Sequence, residues 1–140
     1  MSAQLKPHAD SVASVRVEIS PGELIDKITI LEIKEQRIRD KAKLANVRRE
    51  LEALCAVRNA TIGESSELDR LATDLKAINV KLWDIEDEIR DRERDLDFNK
   101  RFIACARAVY KTNDRRAELK YQINKFLGAS ITEEKSYPTY

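Results

Sequence analysis

The side chains best able to do chemistry lie in the last third of the sequence, on a row of residues spaced four and three apart. That row reads Phe98, Phe102, Cys105, Val109, Thr112, Arg116, Leu119, Ile123 and Phe126. The spacing is that of one helix face turned toward a partner. Thr112 and Arg116 interrupt it, with Asn113 and Lys120 just to one side. Burying a guanidinium is costly unless a carboxylate pairs with it or the row opens to water there. Glu35, on the apolar stripe of the first helical segment, is a comparable oddity. Three flanking stripes carry the remaining polar groups. These are Glu23, Lys27, Lys34 and Arg37; Asn79, Trp83, Glu86 and Arg90; and Tyr110, Asn113, Ala117, Lys120 and Asn124.

Hairpin turns near residues 62 and 96 would set Glu86 level with Ile38, Arg90 with Lys34, and Asn113 with Asn79. Lys34, Arg37, Trp83, Glu86, Arg90, Tyr110 and Asn113 then share one layer, and Arg116 and Lys120 extend it along the third helix. Two readings fit this candidate site. In one, Lys34, Arg37 and Arg90 offset a phosphate or carboxylate, while Glu86 and Tyr110 accept or move a proton. In the other, the charges pair between helices and Trp83 packs at the seam edge. Such pairs are the usual company of a seam and contribute about 0–1 kcal/mol each. The second reading takes precedence.

Several chemistries are excluded by residue type. His8 is the single histidine and sits in a polar stretch that no periodic element positions, which leaves a Ser-His-Asp or Cys-His arrangement without support. Neither C-x-x-C nor H-E-x-x-H occurs, and neither do the two common glycine-rich phosphate loops. No metal and no cofactor is therefore expected. Cys55 and Cys105 fall inside helical patterns and read as reduced core residues. Lys+Arg total 26 against 25 Asp+Glu, a net charge of +1, which argues against nucleic acid bound by bulk positive charge. Lys111, Arg115 and Arg116 are also interleaved with Asp114 and Glu118. The run from Glu86 to Arg94 alternates in sign and reads as a solvated, self-paired helix face. The first residues lack the apolar segment of a secretory signal, and no apolar run approaches the roughly 18 residues that span a bilayer. The expected location is cytoplasmic, with no membrane span.

The elements that must position these groups are helices. With 42% hydrophobic and 36% charged residues in 140, there is apolar material for one core. Val15, Val17 and Ile19 alternate with polar residues, so 14–19 reads as a short extended segment. Ser20-Pro21-Gly22-Glu23 is a strong helix start, with a cap, a proline at the first position and a capping-box glutamate. Helix 1 is expected from Pro21 to about Arg58. Its stripe of Leu24, Ile28, Leu31, Ile38 and Ala45 yields to a second one, Leu44, Val47, Leu51 and Leu54. A shift of one residue in phase is about 100°, so a kink or break is expected near Asp40-Lys41, with Asp40 as a new cap. Ile30 and Ile33 face away from Leu24, which requires cover on two sides, from the termini or from a second subunit.

Helix 2 carries Leu68, Leu71, Leu75, Ile78, Leu82, Ile85 and Ile89, a coiled-coil-like seam. Asp95 or Asp97 caps helix 3, and Gly128 ends it. Long helices joined by short loops are antiparallel neighbours. The expected fold is all-α: an elongated antiparallel three-helix bundle. A flexible tail occupies 1–13, a single helical domain 14–128, and an extended tail 129–140, which could lie beside 14–19.

Ser20-Pro21-Gly22-Glu23-Leu24-Ile25-Asp26-Lys27-Ile28-Thr29-Ile30-Leu31-Glu32-Ile33-Lys34 resembles the opening of a family of short bacterial proteins of unknown function. Ala45-Asn46-Val47-Arg48, Leu82-Trp83-Asp84-Ile85-Glu86, Tyr110-Lys111-Thr112-Asn113-Asp114-Arg115-Arg116 and Glu133-Glu134-Lys135-Ser136-Tyr137 carry the same resemblance. It implies a tie to cell-surface glycan metabolism and brings no catalytic residues with it. Ile25-Asp26-Lys27-Ile28 also resembles the I-D-x-I-D opening of small all-α chorismate mutases, which bind a dicarboxylate inside a helical dimer. Thr29 stands in place of the second aspartate, and Arg37 falls about two residues early. The function expected from the sequence is a non-catalytic helical scaffold. It would self-associate through helix 1, as a dimer, or serve a protein partner. The alternative is a small-anion-binding protein or enzyme using Lys34, Arg37, Trp83, Glu86, Arg90, Tyr110, Asn113, Arg116 and Lys120.

Overall fold

A computed structural model describes residues 12–140; His8 and most of the tail expected over 1–13 lie outside the described residues. Four helices follow in order: α1 (Pro21–Arg37), α2 (Lys41–Thr61), α3 (Ser66–Arg94) and α4 (Lys100–Leu127). The all-α expectation holds, with no strand among the described residues, but the three-helix count does not.

The difference lies at the phase jump. Backbone at Ile38 and Asp40 is extended, and the Asp40 carboxylate accepts the Lys43 N–H at 2.8 Å. The expected break is therefore complete, and the chain reverses there. A continuous helix would have aimed the stripe of Leu44, Val47, Leu51 and Leu54 away from the α1 core. Reversal lays that stripe on α1 instead. α2 packs on α1 and touches neither α3 nor α4, and Val47 is its one buried residue.

α1 is consequently the central element, in contact with all three other helices. Leu24, Ile25, Ile28, Leu31 and Ile33 are all buried. The two-sided cover expected from the termini or a second subunit is supplied by the chain itself. α1 is thus not the open self-association face that the sequence suggested.

The other caps follow local chemistry. Ser20 Oγ accepts the Glu23 N–H at 3.1 Å, with Pro21 at the helix start. Ser65 caps α3, and Gly128 closes α4 at φ 63°, a left-handed conformation that costs glycine little. Asn99, rather than Asp95 or Asp97, caps α4, accepting the Arg101 N–H at 3.0 Å. Asp97 instead accepts from Arg92 at 2.8 Å.

α3 and α4 form an antiparallel pair, and the main core joins them to the start of α1 through Ile25, Leu68, Leu71, Leu75, Leu119 and Ile123. α1 ends at Arg37, which pairs with Asp84. From there α3 continues to Arg94, roughly 15 Å further at 1.5 Å per residue. The seam residues Ile85, Ile89 and Phe102 on this arm are half-buried, and Leu96, Phe98 and Ile103 near its tip are exposed.

Residues 12–19 form no strand, and Val12, Val15 and Val17 are exposed. The C-terminal tail, 129–140, has no regular structure either; it returns along α4, and no backbone hydrogen bond joins it to 14–19. Lys120 Nζ donates to Glu133 at 3.1 Å, and Tyr140 Oη donates to Asp114 at 2.7 Å. No described helix is long and apolar enough to cross a membrane.

Candidate functional site

The polar interruption in the α4 row meets a matching interruption in α1. Asp26 lies between Ile25 and Ile28 and is 1% exposed. Its carboxylate accepts from Arg116 Nε at 2.9 Å and from Arg116 Nη2 at 2.5 Å. Asn79 of α3 donates to the same carboxylate at 2.9 Å and to the Thr29 hydroxyl at 2.9 Å. The Thr29 hydroxyl in turn donates to the Asp26 carbonyl at 2.8 Å. Each buried oxygen and amide nitrogen of this network therefore has a partner, as burial of charge demands.

The pairing continues one turn further along both helices. Lys120 Nζ donates to Glu23 at 2.6 Å and lies 4.0 Å from Asp26. The Gly22 N–H donates to the Asn124 side-chain oxygen at 2.7 Å. Arg116, Lys120 and Asn124 are four apart, so they share one face of α4. α1 meets that face in antiparallel register.

Electrostatics follow from these contacts. Hydrogen bonding to Asp26 outweighs the opposing effect of burial and raises the pKa of Arg116. Burial pulls the Lys120 ammonium toward deprotonation, but the Glu23 and Glu133 hydrogen bonds overcome it and the net shift is upward. Both groups are cations at neutral pH. Lys135 and Lys120 together hold the Glu133 carboxyl down to about 2.

Arg116 separates two clefts. The first, of about 590 Å³, lies between α4 and the C-terminal tail, with Tyr110, Asn113, Arg116 and Lys120 on one side and Lys135, Tyr137 and Tyr140 on the other. The second, of about 400 Å³, lies between α1 and α3 and is lined by Ile30, Ile33, Asn79, Trp83, Glu86, Arg90 and Arg116. A guanidinium carries five N–H donors. Arg116 spends two on Asp26, and the other three have no acceptor among the described residues. With 28% of its side chain exposed, Arg116 is a fixed cation with donors to spare at the wall of each cleft.

The single layer expected from the sequence is thus divided. Tyr110, Asn113, Arg116 and Lys120 meet at the first cleft, and Trp83, Glu86 and Arg90 meet Arg116 at the second. Lys34 and Arg37 line neither. Arg37 pairs with Asp84, and its guanidinium carbon lies 5.9 Å from the Trp83 ring centre. The reason is direction. The break at Ile38 makes α1 run in the same sense as α3, so the register that set Arg90 beside Lys34 does not exist. Glu86 pairs with Arg90 one turn away at 3.2 Å, within α3 rather than between helices as the salt-bridge reading expected. Glu35 pairs with Arg48 of α2 at 3.6 Å.

Sequence reasoning missed Glu23, Asp26, Thr29, Asn79 and Glu133 as parts of this site. A signal for Asp26 was present, because a carboxylate flanked by buried isoleucines raises the same question as a guanidinium on an apolar row. Asp26 lines neither cleft and stands behind Arg116, so the aspartate that suggested a chorismate-mutase-like site acts here as a support. Cys55 and Cys105 are free thiols, half-buried and buried respectively. Burial raises the pKa of the Cys105 thiol, whose Sγ donates to Glu88 at 3.1 Å.

A family model described as a family of unknown function (DUF6165) matches residues 15–140, and the chain belongs to that family. No curated protein and no solved structure matches it.

Proposed function

We propose that this member of the DUF6165 family binds a small anionic ligand, a phosphate ester or carboxylate, in the cleft between α4 and the C-terminal tail. One observation carries the reading. Arg116 is locked in place by the buried Asp26, yet three of its donors remain unspent at the cleft wall. A fully buried ion pair would have to turn all its polarity inward. Here one side of the guanidinium is fixed by the fold, and the rest is available to an oxyanion at no further ordering cost. Tyr110, Asn113 and Tyr137 line the same space with polar groups that have no hydrogen-bond partner among the described residues.

A bacterial source and a place in surface-glycan metabolism belong to this proposal and rest on the family resemblance; a cytoplasmic location belongs to it too, with the support that no described helix is long and apolar enough to cross a membrane. They make sugar phosphates and nucleotide sugars the first ligands to screen, with dicarboxylates beside them. A ligand at a hundred times its Kd stabilises the fold by about 2.7 kcal/mol, which a thermal-shift screen reads directly. Arg116→Lys keeps the charge but loses the fork geometry, and it should weaken the bound class about tenfold. A screen in which no anion shifts the melting temperature rejects the reading.

The scaffold reading is supported by a different observation. Leu96, Phe98 and Ile103 are exposed together near the tip of the α3–α4 arm. On that reading the arm docks a protein partner or a second copy. Light scattering across micromolar concentrations that reports monomer throughout counts against the second copy.

A further inference from the structure

We propose that the cleft between α1 and α3 binds a neutral lactam, a planar ring with an N–H beside a C=O, through Asn79 and Arg116, a site distinct from the anion cleft on the other side of Arg116. Asn79 is 5% exposed. Its side-chain nitrogen donates to Asp26 and to Thr29, both at 2.9 Å, which uses both of its N–H groups. Those two acceptors fix which end of the amide faces inward. The side-chain oxygen accepts no hydrogen bond among the described residues. It is not sealed in either, because Arg92 Nε is the one wholly enclosed side-chain atom without a partner there. The surface that Asn79 lines is the α1–α3 cleft. That cleft therefore holds a fixed, unspent acceptor in its wall.

Arg116 supplies the complement. Its Nε and the Asn79 nitrogen both lie 2.9 Å from the same Asp26 oxygen, so the two side chains are neighbours. Arg116 lines this cleft too, with three of its five donors unspent. A guanidinium only donates, and the Asn79 oxygen only accepts. A ligand that satisfies both presents a donor beside an acceptor. In an open-chain secondary amide the N–H and C=O point apart, because the trans form is favoured; a ring holds them on one side. A carboxylate has acceptors alone. It would set one against the Asn79 oxygen and share the cleft with Glu86 and Asp87. Ile30, Ile33, Leu82 and Trp83 supply apolar wall for the ring, and about 400 Å³ is the size of a small-molecule site.

Oxindole is a neutral two-ring lactam. The indanone in which a methylene replaces its N–H has the same shape and carbonyl and no donor. Trp83 is the single tryptophan, so its indole N–H gives one signal in a nitrogen–proton correlation spectrum of the full chain. Oxindole should shift that signal and the Asn79 side-chain amide signals together, in a saturable titration. It should bind about tenfold tighter than the indanone, which leaves the Asn79 oxygen unpaired. Asn79→Leu would also remove the Asp26 contact, so the matched probes, not that variant, isolate the oxygen. Equal affinity for the two probes overturns the proposal. So does a Trp83 shift that leaves the Asn79 signals in place, or no shift with either probe. Benzoate should not move Trp83; if it does so as oxindole does, the cleft is a second anion site and the lactam assignment falls. Asn79 and Trp83 do not line the tail cleft, so this result and that of the anion screen are read separately.

Discussion

Asp26 and Arg116 each look misplaced on their own helix, and each is explained by the other. A carboxylate 1% exposed holds a guanidinium by two hydrogen bonds, with Asn79 completing its shell. Removing one partner of such a pair leaves the other desolvated and unpaired. Asp26→Asn should therefore cost about 3 kcal/mol in urea unfolding, the lower end for a buried pair because Arg116 can still reach water. A loss within error of zero would show that the pair is merely tolerated. Glu133 makes a second prediction at this scale. Its carboxyl lies at about 2 in the folded chain against an ordinary 4.5, through Lys135 and then Lys120. A depressed folded value means that its contribution is fully present above the unfolded value and is lost as pH falls through the folded one. The Lys120–Glu133 contact should persist at pH 4 and disappear toward pH 2. The Glu133 side-chain carbonyl shift in an NMR titration reads this, and a midpoint near 4.5 contradicts it.

Among the elements, the start of α1 is the most constrained. A Cβ on Gly22 would meet the Lys120 carbonyl oxygen at 2.5 Å and the Asn124 side-chain oxygen at 2.9 Å. The first of these is backbone and cannot swing away. Gly22→Ala should push α1 from α4 and cost about 2 kcal/mol. Gly63→Ala, with nothing within 4 Å, is the matched control and should stay within about 0.5 kcal/mol. Equal melting temperatures for the two variants would refute the close approach. The helix ends were mostly legible before folding. Ser20 and Asp40 cap, and Gly128 terminates, through bonds to residues one turn away. The start of α4 was less so, because Asp95, Asp97 and Asn99 are all acceptable caps and tertiary contacts chose among them. Asp97 was drawn to Arg92, which left Asn99.

For the molecule as a whole, stability is distributed unevenly. α1, α3 and α4 share the main core and the Asp26 network, whereas α2 rests on α1 with one buried side chain. Elements with few buried apolar contacts open at lower free energy than the rest. In native-state hydrogen exchange, amides of α2 should exchange through a cheaper opening than those around Leu75, Leu119 and Ile123. Protection of α2 equal to that core would mean that the four helices unfold as one unit. Helical class, most helix limits, the break at Asp40 and the polar oddity at Arg116 could all be read from the chain alone. Each depends on residues within a turn or two of one another, where periodicity and capping act. Folding decided which way α1 runs relative to α3, that Asp26 rather than Glu35 answers Arg116, and that the tail brings Glu133 to Lys120. Those contacts join residues 13 to 90 positions apart, and their geometry follows from how whole helices bury their apolar faces, which no local pattern encodes.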